Sequence, residues 1–91
     1  MRRRIAVSKQ FKKDRKLCEK RGKDTAKLRR TIELLQDGGG LPDQYYDHSL
    51  RGELREYRCC HLEGDWLLLY KLTEDTVILW RTGTHSDLLK R

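Results

Sequence analysis

This chain has little of what would make it a membrane protein, an exported scaffold or a metal protein. No apolar run approaches the roughly 20 residues that span a bilayer, and the N-terminal "MRRRIAVSKQF" has no apolar signal core. A cytoplasmic protein is expected. Cysteine is scarce and odd in number: Cys18, and the adjacent Cys59 and Cys60. Without an export signal this is not a disulfide framework, so the thiols read as reduced and structural. Neither the three cysteines nor the three histidines (His48, His61, His85) show the C-x-x-C or H-x-x-x-H spacing of a zinc site. Hydrophobic residues make up only 36%, against 38% charged, which argues against a deep small-molecule pocket. Proline occurs once, beside three consecutive glycines, in "DGGGLPDQ". That cluster marks one loop, and no repeat or low-complexity tract appears.

What the chain does have is positive charge. A formal net charge of +7 on 91 residues biases the surface toward polyanions. Nucleic acid is the first candidate, an acidic protein partner the second. An anionic membrane surface is disfavoured, because the basic segments are short and lack an aromatic opposite face. Ninety-one residues suit one domain, 1–91, with a small core.

Local patterning divides the chain into a helical half and a strand half. "RRRIAVS" is β-prone over Ile5–Val7 and ends on Ser8, a good helix N-cap. From there Val7, Phe11, Leu17 and Cys18 form a narrow apolar stripe on a basic helix that Gly22 stops. Asp24 caps a second helix, in which Leu28, Ile32 and Leu35 recur at helical spacing until the glycine loop. Three β-prone runs follow, "LREYRCCHL", "DWLLLYKL" and "DTVILWRTG", joined by the short turns "EGD" and "TED". That spacing predicts an antiparallel meander. Both parities of the middle run are apolar, as in a central strand covered on both faces. In the first run Tyr57, Cys59 and His61 share one face, and Arg58, Cys60 and Leu62 the other. The order is β-α-α-β-β-β with a short helical tail after Thr84: a small α+β domain with a helical hairpin on one face of an antiparallel sheet.

With "DHSLRG", "HLEGDWLLLYK" and "RTGTHSDL" in this order and at these separations, the chain resembles the YafQ branch of the RelE/ParE toxin superfamily, from bacterial type II toxin–antitoxin modules. "KQFKKDRKL" and the helix after it match more loosely, so the likeness runs over nearly the whole chain. The resemblance implies a RelE-like fold and a ribonuclease that cuts mRNA during translation on the 70S ribosome, with no metal ion or cofactor. It also implies a DinJ/RelB-like antitoxin, in a heterotetrameric or larger complex. On this basic chain such an antitoxin would lay a helix or strand across the charged surface.

Metal-free RNA cleavage needs a base for the 2′-OH proton, an acid for the departing 5′ oxygen and cations for the phosphate charge. Histidine suits the first two roles and arginine the third. The resemblance points to His85 for proton transfer, to His61 and His48 for proton transfer or RNA contact, to Asp65 for orienting an imidazole, and to Arg81 for the phosphate. Each also has a plain structural reading: His48 a solvated loop residue, His61 a satisfied strand histidine, Asp65 and His85 caps, Arg81 a surface cation. Trp66 is either core or a face on which a base stacks. Arg51 and the helical Lys9, Lys12, Lys13, Arg15 and Lys16 form a solvated basic surface or contact RNA phosphates.

Two departures stand out. Relatives in this branch often carry aspartate where this chain has Cys59, and an aromatic where it has Leu89. Two other readings remain: a ParE-like, non-catalytic inhibitor of DNA gyrase, which would have no use for the histidine constellation, and an inert RNA-binding module.

Overall fold

The computed structural model describes residues 2–88. The elements are β1 (Arg4–Val7), α1 (Lys9–Lys20), α2 (Thr25–Asp37), β2 (His48–Ser49), β3 (Arg58–Glu63), β4 (Trp66–Leu72), β5 (Thr76–Gly83) and α3 (His85–Leu88), with single 3-10 turns at Asp43–Tyr45 and Gly52–Leu54. This is the expected α+β order, with one strand more.

The capping chemistry is where the sequence puts it. Ser8 Oγ accepts from the Phe11 N–H at 2.9 Å and Asp24 Oδ1 from the Ala26 N–H at 3.0 Å, each satisfying an orphan donor of the first turn. Gly22 follows α1 at φ +83°, where a side chain would be strained, and Gly38 ends α2 at φ +80°. The stripe on α1 differs from the expected one. Phe11, Asp14 and Cys18 are the buried residues, whereas Leu17 is 43% exposed. Positions 11, 14 and 18 follow the helical repeat, and Asp14 escapes a hydrophobicity reading because it is charged.

The sheet order is β1-β5-β4-β3-β2. The meander β3-β4-β5 is antiparallel as expected, but β1 lies parallel to β5, Ile5 beside Val77 and Val7 beside Leu79. The sheet is therefore mixed. A parallel neighbour needs a long crossover, and the α1–α2 hairpin starts the long connection that supplies it. The extra strand β2 pairs His48 with Cys59 and Ser49 with Arg58. Two residues are too few for any periodicity to show.

The helical hairpin covers one face. Phe11, Cys18, Leu28 and Leu35 pack on Cys60, Leu62, Trp66, Leu68, Tyr70, Val77 and Leu79. Cys59, Leu67 and Leu69 point the other way, beneath Leu50, Trp80 and Leu88. Residues Trp66 to Tyr70 are buried throughout, so β4 is a central strand covered on both faces. Among the described residues, a loop through Leu50 and the short α3 through Leu88 pack on this second face.

Candidate active site

Sheet register brings the histidines together. His61 on β3 stands opposite Leu67 on β4, and Leu67 stands opposite Gly83 at the end of β5. Residues directly across a ladder share a face, so His61 lies on the side of Leu67, away from the helical hairpin. His48 pairs with Cys59, two positions before His61 and on the same face. The chain leaves β5 at Gly83 and starts α3 with His85. The His61 ring centroid lies 5.8 Å from that of His85 and 6.4 Å from that of His48. Three residues separated by up to 37 positions in sequence thus form one cluster.

Each outer histidine is oriented by an oxygen that can only accept. Asp65, in the β3–β4 turn, receives the His85 backbone N–H at 2.9 Å and bonds the His85 ring Nδ1. Those two bonds, the backbone one foremost, hold the Asp65 carboxyl below its ordinary range. The Tyr46 carbonyl accepts from His48 Nδ1 at 2.7 Å. In both imidazoles the neutral form therefore carries its proton on Nδ1 and leaves the Nε2 lone pair for chemistry. His61 is different: its Nδ1 is buried without a hydrogen-bond partner among the described residues.

The turn that presents His85 is built tightly. Thr84 and Asp87 form a capping box, the Thr84 N–H donating to Asp87 Oδ2 at 3.0 Å and the Asp87 N–H to Thr84 Oγ1 at 3.1 Å. Arg21, at the end of α1, donates to the same Asp87 oxygen at 2.7 Å. With Arg21 first and the Thr84 N–H next, this pairing lowers the Asp87 carboxyl to about 2. Gly83 is needed because a Cβ there would fall 2.9 Å from Asp87 Oδ2 and 3.0 Å from its Cβ.

The loop carrying His48 is anchored by Asp47, which sequence reasoning passed over. Its carboxylate accepts from the buried Tyr70 hydroxyl and from Arg58 Nε at 3.1 Å. Burial first, then that bond, pushes the Tyr70 hydroxyl up, so it remains a donor. The neighbours of Asp47 are thereby fixed. Tyr46 was also missed: 71% exposed, it sets its ring edge-on to His61 at 5.7 Å. Its only signal in the sequence was an aromatic beside a histidine in a polar loop.

Two expected site residues are otherwise engaged. Trp66 is fully buried on the helical side, its indole N–H donating to Thr82 Oγ1 at 2.9 Å. No base can stack on it, so the stacking role is withdrawn and Trp66 is core. Arg81 lies just past the end of β1, whose last partner on β5 is Leu79, and α1 lies beside it. Its Nε and Nη2 grip Asp14 at 2.9 and 3.0 Å, and the Thr82 N–H donates to the same carboxylate at 3.2 Å. Burial by itself would raise the Asp14 carboxyl; the bonds from Arg81, Gln10 and Thr82 outweigh it and hold it low. Arg81 is thus a structural cation first, with Nη1 and the second Nη2 hydrogen left over. Lys9, Lys12, Lys13, Arg15 and Lys16 are exposed on α1, in the layer across the sheet from the histidines, and Arg51 is exposed between β2 and β3. Leu89, where an aromatic was expected, lies outside the described residues.

The sequence and the fold both have counterparts among known proteins. The family model for the bacterial toxin of type II toxin–antitoxin systems, YafQ, matches residues 3–90. This chain belongs to the YafQ toxin family. It is 46% identical over 85 residues to the mRNA interferase toxin YafQ of Escherichia coli K12, covering 92% of each chain. Among solved structures it is similar to YafQ in the E. coli DinJ–YafQ toxin–antitoxin complex, with a TM-score of 0.89, 45% identity, and 97% of this chain and 98% of that one covered. A metal-bound toxin from Helicobacter pylori superposes with a TM-score of 0.88 at 40% identity, covering 97% and 99%. In the present YafQ-family chain, no group of three or more His, Cys, Asp or Glu among the described residues is arranged to hold a metal ion.

Proposed function

We propose that this chain is the toxin of a type II toxin–antitoxin module and an endoribonuclease that cuts mRNA as it is translated on the ribosome. The observation that carries the reading is the convergence of His48, His61 and His85 on one face of a basic domain, with Asp65 orienting His85. In such a cut the 2′-oxygen attacks the adjacent phosphorus as a base takes its proton, and the 5′-oxygen leaves as an acid returns one. Two imidazoles with Nε2 available can share these steps, and His61 between them contacts RNA or relays the proton. Arg81 adds positive charge beside the His85 turn, and its Nη1 and remaining Nη2 hydrogens are the donors it can offer a phosphate. A gyrase inhibitor without catalysis would have no reason to orient these imidazoles.

The exposed Lys9, Lys12, Lys13, Lys16 and Arg51 supply salt-sensitive contacts to mRNA and ribosomal RNA phosphates. A DinJ-like antitoxin is the protein partner. A groove of about 720 Å³ between β1, α1 and α2 suits it, lined by the apolar Ile5, Val7 and Ile32 and the basic Lys12, Arg15 and Lys16 among others. An acidic amphipathic segment complements that surface. No described helix is long and apolar enough to cross a membrane, consistent with action on cytoplasmic ribosomes.

The test compares cleavage of a translated mRNA with that of the same RNA free in solution, for the wild-type chain and His85→Ala. Wild-type cutting confined to the translated message, and none by His85→Ala, is the expected result. A fully cleaving His85→Ala protein refutes the assignment.

A further inference from the structure

Beside His61 the surface opens into a cavity of about 320 Å³ that proton transfer does not use, lined by Lys27, Gln44, Tyr45, Tyr46, His61 and Glu63 among others. Of its lining, Tyr46 stands out, an aromatic left 71% exposed. Among the described residues it is the one non-glycine with positive φ, at +48°. Aromatic side chains rarely adopt that conformation, so the surroundings must impose it. They do so from both sides. The Tyr46 N–H donates to the Asp43 carbonyl at 3.0 Å, its own carbonyl holds His48 Nδ1, and the next residue, Asp47, is tied to Tyr70 and Arg58.

The fold thus fixes the backbone of a tyrosine whose ring it does not bury. The ring is held edge-on to an imidazole of the histidine cluster. Tyr45, by contrast, turns inward, 6% exposed, with its hydroxyl 3.4 Å from Thr31 Oγ1. Gln44, Lys27 and Glu63, which carry an amide, an ammonium and a carboxylate, line the same cavity as Tyr46. A flat aromatic surface with donors and acceptors at its border is how proteins hold an unstacked base of single-stranded RNA.

We propose that Tyr46 and this cavity form a subsite for one nucleobase next to the scissile phosphate: the ring stacks on the base, and Lys27, Gln44 and Glu63 meet its polar edge. This deepens the ribonuclease reading and rests on it.

The test measures kcat and KM for cutting messages on translating ribosomes, with the nucleotides on either side of the cut varied one at a time. Tyr46→Asn removes the ring but keeps a residue that tolerates this backbone; Tyr46→Phe keeps the ring. Tyr46→Asn is expected to raise KM about tenfold or more, with kcat within about threefold of wild type. It should also flatten the base preference at one flanking position, while Tyr46→Phe recovers most of the affinity and the preference. Glu63→Gln should alter the preference at that same position and no other, and it carries the test if Tyr46→Asn is unfolded. Wild-type KM and preference in Tyr46→Asn, or a Tyr46→Phe protein as impaired as Tyr46→Asn, overturns the subsite. Failure of the ribonuclease reading shows separately, as a wild-type chain that leaves translated mRNA intact; the subsite falls with it.

Discussion

Asp65 takes both donors of His85, the backbone N–H and the ring Nδ1, although the two residues lie on different turns twenty positions apart. Both side chains are more than half exposed, so the pair adds little to stability. What it adds is direction: the ring cannot rotate without giving up a charge-assisted bond, and with Nδ1 engaged Nε2 is left for chemistry.

Substituting the two residues should therefore separate chemistry from orientation. His85→Ala should lower the rate on translated mRNA by on the order of 10²–10⁴-fold, as expected when a general acid or base is removed. Asp65→Asn should lower kcat by about tenfold or more. Thermal melting should place both variants within a few degrees of wild type. A large loss of Tm in Asp65→Asn would mean that the carboxylate holds the fold and not the ring.

Asp14 and Arg81 should behave in the opposite way. The carboxylate is nearly buried and collects donors from α1 and β5, so removing its main partner strands a charge. Arg81→Ala is expected to destabilise the chain by about 2–3 kcal/mol, discounted from a fully buried pair because the arginine is partly exposed. Arg81→Lys should recover only part of this, since an ammonium cannot make the two parallel bonds. Urea unfolding checks the order wild type, Lys, Ala; equal stability of all three would show that the fork is not used.

Acid should weaken the α1 contacts. Asp87 titrates at about 2 in the folded chain against an ordinary 3.8, and Asp14 is also lowered. A depressed folded-state pKa means stabilisation that is complete above the ordinary value and lost as pH falls through the folded one. Stability is therefore expected to fall between about pH 4 and pH 2. Asp87→Asn, which lacks the titrating group, should show a shallower decline over that window. A melting curve independent of pH there, for wild type, would contradict the pairing with Arg21.

The cysteines should be inert in the folded chain. Burial pushes the Cys59 thiol up to about 11 and raises Cys60 and Cys18 as well. Cys59 and Cys60 face opposite sides of the sheet, in different packing clusters, which also keeps their sulfurs apart. Iodoacetamide near pH 8 should label none of the three until denaturant is added. Prompt labelling of Cys59 in the native chain would show that its face opens.

The sequence by itself determined what depends on neighbours along the chain. Ser8 and Asp24 cap their helices because a cap bonds two or three residues onward, and the buried run from Trp66 to Tyr70 announced a central strand because burial on both faces needs apolar residues of both parities. Resemblance then singled out His48, His61, Asp65 and His85. The tertiary structure decided what depends on register. The line His61–Leu67–Gly83 across three strands sets the distance between histidines, and no periodicity encodes it. The side of the sheet on which Trp66 fell removed it from the surface. Asp14 on a buried stripe became legible only when Arg81 lay opposite, and Tyr46 only when Asp47 tied its loop to Tyr70. In each case the reason is the same: a charge or an exposed ring violates the local pattern, and its partner lies on another element that only packing brings near.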